Sequence, residues 1–507
     1  MNSEKQIVRG VYWTTIVNVV NAVYNFISVP LLIAYFGKAH YGLIGLAMSV
    51  NIYLRLLDIG FNSTNVRFFS NWLAKEDYKS VKSLFQTSLS VHLVIGFVNA
   101  LVLLLLAYFS DSVFHLSGDE DRIMKNLLYI LSVSAVINWI CACYEQLVRA
   151  FEHVGWLQKM MLLPKLLQIV ILVLTLCIPN TSIELYYALT AFSLAVLLPP
   201  LIIHIKRNAS YISFLPSFDK DIFKQILPYC INIFSFGIFQ FSINYLRPVF
   251  LGMQGTLESV TDYRVLNAII TLVLLIGGSF LSVVLPASSR AVAIDNKEAQ
   301  ERLTYTGTKY ITIILSFMVF GIMSVSAQVL TIYVGSGYGH LVFWLDLWLL
   351  TTLFSHNQAI SSLILSQQDI RAITIITIIS STIGLILCWV LIPKYQVGGT
   401  VIAYMVYGLI QILFYYLYYW PRKMHINSWR VFLHSFLPTT AAGVASMLIV
   451  RTTLTLWFSS INAWIQAISG GIAFMVIFAL LHYFIILTKE DKFTLIKYIK
   501  SIFKIRG

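Results

Sequence analysis

Fourteen mainly apolar stretches follow one another along this chain with only short polar connections between them. They cover residues 11–36, 41–61, 85–109, 126–148, 156–178, 183–205, 225–251, 262–288, 309–334, 341–366, 372–392, 397–420, 432–454 and 461–487. A helix needs roughly 20 such residues to cross the hydrocarbon core of a bilayer. The chain is 58% hydrophobic and only 11% charged, against about 25% charged in a soluble domain. It cannot cover a water-facing surface, so lipid must be its solvent. The expected fold is an all-α polytopic membrane protein of about fourteen transmembrane helices. No connection is long enough for a separate soluble domain.

The positive charges set the orientation, because Lys and Arg collect in cytoplasmic loops. With the N-terminus inside and the spans alternating, twenty-six of the 35 Lys and Arg residues fall in inner segments and five in outer loops. The other four (Arg55, Lys165, Arg247 and Arg264) lie within spans or at their edges. Both termini are therefore read as cytoplasmic. This distribution also explains the formal charge of +13 without nucleic acid. The acidic run Asp119, Glu120 and Asp121 falls outside. Lys5 and Arg9 precede an apolar run too long for a signal-peptide core and lacking a small-residue cleavage site, so the first span is expected to be retained. The five cysteines all lie in apolar segments and read as core residues, with no histidine at metal-ligand spacing. No cofactor is expected. The tail 489–506 alternates Lys with Phe493, Ile496, Ile499, Ile502 and Phe503 and reads as a basic amphipathic helix on the inner leaflet.

Polar residues inside spans repeat. Span 1 carries Thr14, Asn18, Asn21 and Asn25 in steps of four, three and four, on one helical face, then Pro30. Span 7 carries Gln240, Asn244 and Arg247, then Pro248. Each is followed by a Tyr opening the next span (Tyr41, Tyr263) and an Arg 26 or 27 residues beyond it (Arg67, Arg290). Two related halves are a common transporter plan, with the substrate between them. The amide stripe either binds neighbouring helices or faces a water-filled cavity.

Charges in a bilayer need a partner, a cavity or a function. Arg55 and Asp58 are three apart and share a face, as a pair near the inner interface. Arg264 is expected to pair with Asp262, Lys165 to snorkel inward, and Asp346 to be solvated at the outer interface between Trp344 and Trp348. Arg247 has no acid one turn away; it snorkels outward or serves a ligand. His92 and His356 are either neutral buried rings or proton carriers. The cavity candidates are mostly cationic or neutral, which suits an anion such as phosphate, met by arginine through paired hydrogen bonds.

The stretch Arg9–Gly60 resembles the polysaccharide transporters of the MOP superfamily, the O-antigen and capsule-repeat flippases. The resemblance rests on Arg9 and Trp13, the Pro30-to-Gly37 run, Tyr41-Gly42, and Asp58-x-Gly60. Length and span count match over the whole chain. It implies two pseudo-symmetric six-helix lobes (1–208 and 209–422), two further spans (423–488) and the tail (489–507). Spans 1, 2, 7 and 8 would line a cavity carrying Arg9, Arg55 and Asp58. It implies alternating access that moves an undecaprenyl-diphosphate-linked oligosaccharide across a bacterial inner membrane. Membrane lipids, a polysaccharide polymerase and chain-length proteins would be its partners. Span 7 departs from the family pattern: Tyr245-Leu246-Arg247-Pro248 stands where many relatives carry an acid, so cation coupling by that acid is not carried over.

On this reading Arg9, Asn18, Asn21, Asn25, Arg55, Gln240, Asn244, Arg247 and Arg264 bind the diphosphate and sugars. Asp58, His92, Asp346 and His356 are the candidates for ion coupling. Two other readings compete. A MATE-type drug exporter would need a net acidic cavity. A membrane glycosyltransferase or polymerase would need outer carboxylates, and Asp119-Glu120-Asp121 fits that pattern only literally, in a short loop. No phosphate-cradling glycine loop supports ATP-driven pumping. The chain is read as a carrier and not an enzyme.

Overall fold

A backbone in lipid must satisfy its own N–H and C=O groups, and here it does so as helix throughout. The computed structural model describes residues 3–293, 297–357, 360, 371–458, 461–487 and 492, and contains no strand among them. Among the described residues, ten helices are long and apolar enough to cross a membrane, and eleven if span 7 is counted, which bends by 48° between Lys220–Ser235 and Gly237–Tyr245. The remaining predicted spans also fall on helix. Span 2 is Lys38–Leu54 and Asp58–Ala74 joined by a 3-10 turn, Arg55–Leu57. Span 8 is Leu257–Ala293. Span 10 begins as Val342–Thr352 and Leu353–Asn357; its predicted end lies outside the described residues, as does the tail 489–506 except Lys492.

The helices gather into two compact units, Met1–Ala268 with Thr377–Tyr404, and Ile269–Ile376 with Met405–Gly507. In the first unit, spans 3 (Tyr78–Tyr108) and 4 (Gly118–Ala150) pack along their length. The start of span 3 and the end of span 4 share a buried core with span 6, in which Phe85 stacks on Tyr144 with centroids 5.5 Å apart beside Leu147 and Leu201. The connection after span 6 is docked on span 3. Gln86 Nε2 donates to the Leu215 carbonyl at 3.0 Å, and Ser83 Oγ donates to Asp219 Oδ2 at 2.7 Å. Asp219 also caps span 7, accepting from the Asp221 and Ile222 amides at 3.0 and 3.2 Å. These donors, Ser83 foremost, hold its carboxyl below the usual carboxylate range.

Span 2 lies tight against span 8 where both begin. A Cβ on Gly42 would strike the Leu257 carbonyl, and one on Gly45 the Arg264 side chain. Thr261 Oγ1 donates to the Lys38 carbonyl at 2.6 Å, and Lys38 Nζ reaches Asp262 at 2.7 Å. The expected Arg264–Asp262 pair is thus replaced by Lys38–Asp262. Two residues apart on a helix, Asp262 and Arg264 point about 200° apart and cannot meet.

In the second unit, Thr308–Ser324 packs on Leu437–Trp457 and Ala463–Leu481. Asp346 is not solvated as expected. Its Oδ2 accepts from Arg451 Nη1 at 2.7 Å, a partner 105 residues away. Spans 12 and 13 each contain a π-helical turn, Tyr415–Tyr419 and Val431–Phe436, around a small core of Tyr419, Trp420, Ile426 and Val431.

Candidate functional site

The first unit encloses a cavity of about 300 Å³. Span 2 presents Tyr41, Ile44, Met48, Asn51 and Arg55 to it, in steps of three, four, three and four. That spacing is one helical face, apolar-aromatic where span 2 begins and polar toward Arg55. Span 1 contributes Asn25, Ser28 and Leu32, which continue the stripe begun by Thr14, Asn18 and Asn21. Asn138 enters from span 4, Lys165 and Gln168 from span 5, Tyr186 and Tyr187 from span 6, and Arg264 from span 8.

Among the described residues, three cations line this space and no carboxylate does. Arg264 Nε donates to Tyr41 Oη at 3.1 Å. Lys165 Nζ donates to Gln168 Oε1 at 2.7 Å and lies 4.2 Å from the centre of the Tyr24 ring. Gln168 is itself anchored, donating to Ser193 Oγ at 2.9 Å. Arg55 stands 3.8 Å from Asp58, long for an ion pair, and its charge is also felt by the buried Glu145. The Asn138 side-chain oxygen is buried with no hydrogen-bond partner. Fixed cations, amides and tyrosine hydroxyls of this kind can hold an anion and the hydroxyls of an attached polar group.

Behind Arg55, Asp58 joins a buried network. Asn65 Nδ2 donates to Gln146 Oε1 at 2.8 Å, which orients that amide. The Gln146 Nε2 then donates to Asp58 Oδ1 at 3.3 Å and to His92 Nε2 at 3.2 Å. His92 Nδ1 donates to the Ser88 carbonyl at 2.7 Å. Both ring nitrogens of His92 are thus engaged, and Asp58 Oδ1 lies 3.9 Å from its Nε2.

Of the thirteen residues singled out above, Asn25, Arg55 and Arg264 line the cavity, and Asp58 and His92 lie in the network beside it. Asn18 is exposed and Asn21 half-buried, neither on the cavity wall, and Arg9 packs its stem beside Gly155. Gln240 is exposed, and its carbonyl accepts from Asn244 Nδ2 at 2.7 Å. Arg247 is elsewhere in the same unit, 3% exposed. Its Nε donates to the Ile243 carbonyl at 2.8 Å, and its guanidinium carbon lies 4.1 Å from the Tyr404 ring centre and 5.5 Å from that of Tyr263. Asp346 and His356 belong to the second unit. His356 lies within 2.7 Å of both the Leu353 carbonyl and Tyr416 Oη.

Lys165 does not snorkel, as expected of it, but lines the cavity. Gln168, three residues on, shares its face and holds the ammonium there. That Lys-x-x-Gln spacing was the available signal. Nothing local distinguishes Asn138 or Tyr186 from other polar residues in apolar runs.

The family of polysaccharide biosynthesis proteins matches over residues 7–292. No curated protein sequence matches the chain. Among solved structures the chain is similar to lipid II flippase MurJ in an inward closed conformation, with a TM-score of 0.70 at 14% identity, covering 94% of this chain and 99% of that one. It is similar to a multidrug resistance MATE family transporter of the MOP superfamily in an inward-facing conformation, at TM-score 0.62 and 15% identity, over 87% and 99% of the two chains. A MOP superfamily transporter from Pyrococcus furiosus aligns at TM-score 0.50 and 18% identity, over 82% and 95%. At these identities the likeness is one of fold, and the fold is that of MOP transporters.

Proposed function

The chain belongs to the polysaccharide biosynthesis protein family, and from that membership we propose that it is a flippase for an undecaprenyl-diphosphate-linked oligosaccharide. The repeat unit of an O-antigen, capsule or exopolysaccharide would cross the bacterial inner membrane by alternating access, with both termini in the cytoplasm. The observation that supports this most directly is the cavity with three cations and no lining carboxylate. A diphosphate diester carries two negative charges, and bringing such charges into a membrane costs several kcal/mol without compensation. Arg264, Lys165 and Arg55 offer that compensation, and arginine does so through paired hydrogen bonds at any physiological pH. Asn25, Asn51, Asn138 and the tyrosines suit sugar hydroxyls and ring faces.

In the same proposal the lobes are residues 1–208 and 209–422. Arg9, Asn18, Asn21, Gln240 and Asn244 serve stages of transit other than the described one. Asp58 with His92, and less directly Asp346 and His356, are the groups available for ion coupling. A polymerase and chain-length proteins would receive the product. The test is replacement of Arg264 and Arg55 by Gln in a strain lacking its own flippase. Surface polysaccharide should be lost and the lipid-linked repeat should accumulate in the inner leaflet, at unchanged protein level. Normal export by both variants would end this reading.

The fold likeness to MATE transporters gives the drug-exporter reading its one observation. A cavity without a lining acid disfavours cationic drugs, and resistance conferred on a sensitised host would restore it. Against the enzyme reading, Asp121 pairs with Lys125 at 2.6 Å and accepts from Ser110, and Asp119 lies 3.3 Å from Arg122 in an exposed pair.

A further inference from the structure

A larger space, about 800 Å³, opens in the second unit between spans 12 and 13. It falls in the size range that encloses a small organic molecule. Its walls are Phe354, Leu413, Tyr416, Leu417, Phe432 and Phe436. Leu417 and Trp429 are 72% and 69% exposed, so the groove opens on the surface that meets lipid. Both walls carry the π-helical turns described above, a local geometry often found at functional sites.

The polar groups of the groove are nearly all used internally. His356 and Tyr416 bond to each other, and the Asn427 side chain accepts from the Arg430 amide at 3.0 Å. Among the described lining residues, His425 is exposed with no side-chain hydrogen bond, and Ser428 is the buried exception. It is 8% exposed, and its hydroxyl is buried with no partner in the structure. An orphaned buried hydroxyl costs about 1–3 kcal/mol, so a ligand oxygen here would be favoured. The lining residues Pro421 and Trp429 are followed directly by Arg422 and Lys423, and by Arg430. All three cations are exposed and none is paired with a carboxylate among the described residues. The charge rule places this loop at the cytoplasmic face.

We propose that this groove binds an anionic phospholipid of the cytoplasmic leaflet, of the phosphatidylglycerol class. An acyl chain lies between Leu413, Leu417, Phe432 and Phe436. The phosphate accepts from Ser428 Oγ, with Arg422 and Arg430 supplying charge. The chain's own tail is excluded as occupant because its Lys489, Lys497, Lys500 and Lys504 would face a basic rim. The carrier lipid's diphosphate is already assigned to the cavity of the first unit. A bound lipid fills the space between the two π-turned helices and fastens span 12 to span 13.

The test is native mass spectrometry of the full-length protein in mild detergent, titrated with phosphatidylglycerol and with phosphatidylethanolamine of the same acyl chains. The wild type should retain phosphatidylglycerol about 25-fold better, since each of the two arginines near an anionic lipid contributes about a factor of five. The Arg422→Gln, Arg430→Gln pair should reduce that preference to near parity, and Ser428→Ala should weaken it several-fold. All these side chains lie outside the folded core of the helices except Ser428, so the arginine pair tests the site even where Ser428→Ala lowers stability. Equal retention of the two lipids by the wild type, or an undiminished preference in the arginine pair, would overturn the proposal. So would displacement of phosphatidylglycerol by equimolar undecaprenyl phosphate.

Discussion

The Lys165 ammonium lies 4.2 Å from the centre of the Tyr24 ring and 2.7 Å from Gln168 Oε1, held by a π-face on one side and an amide on the other. Neither partner is anionic, so the positive charge remains available to a ligand in the cavity. Charged hydrogen bonds contribute about 1.5–3 kcal/mol. Lys165→Met should therefore weaken binding of a lipid-linked diphosphate by about 10- to 100-fold. Export in a complementation assay should fall with it at equal membrane levels, and Lys165→Arg should retain most activity. Full export by Lys165→Met would take Lys165 out of the site.

Arg247 acts differently. It is buried in a tyrosine cage and donates to the Ile243 carbonyl, with its Nη1 3.4 Å from the Thr400 carbonyl. Arg247→Ala leaves those groups unserved and opens a gap. The expected result is a loss of about 2–4 kcal/mol of stability, seen as a lowered melting temperature in detergent and a reduced membrane level. Export per folded molecule should change little. A melting temperature unchanged beside abolished export would instead make Arg247 a substrate contact.

The Asp346–Arg451 pair joins span 10 to span 13. The arginine side chain is 41% exposed, so the pair falls short of a fully buried one. Asp346→Ala or Arg451→Ala alone should cost about 1–2 kcal/mol. The double variant should cost less than their sum, by about 0.5 kcal/mol or more in a double-mutant cycle. Retained export in the double variant would exclude Asp346 from ion coupling.

Asp219 gives a pH signature. Its donors depress the folded-state pKa below the ordinary value of 3.8. Its contribution to stability is thus present above that value and is lost as the pH falls through the folded pKa. Asp219→Ala should melt below the wild type at pH 7, and the gap should narrow below about pH 4. Thermal melts across that range measure it; a gap independent of pH would mean the charge is not what Asp219 contributes.

Much of this was legible in the sequence. Every predicted apolar segment falls on helix over its described residues, because hydrocarbon leaves a backbone no cheaper option. Arg55 and Arg264 were recognisable as intramembrane charges, and both line the cavity. Lys165 was visible too, but depth along a helix does not say which way a long side chain turns; its direction came from Gln168 and Tyr24. The span 1 amides were one stripe, yet only its outer end at Asn25 reaches the cavity, because lining depends on which neighbours stand back. The Asp346–Arg451 pair and the Asp58–Gln146–His92 network join residues 54 to 105 positions apart, beyond any local pattern.

The 3-10 turn Arg55–Leu57 sets a phase between the halves of span 2. A residue advances about 120° around a 3-10 axis and about 100° around an α-helical one. Three such residues therefore rotate everything below them by roughly 60° relative to an unbroken helix. Above the turn, one face of span 2 looks into the cavity down to Arg55. Below it, that face is re-indexed toward spans 3 and 4, so Asp58 is delivered to Gln146 and His92. Three steps of about 120° complete one turn, so the Asp58 carboxylate is brought into register with the Arg55 guanidinium, 3.8 Å away, and links the cavity to the Gln146–His92 network. Relaxing it to α-helix would swing the carboxylate relative to the guanidinium without moving either backbone far, a rotary coupling between cavity and network.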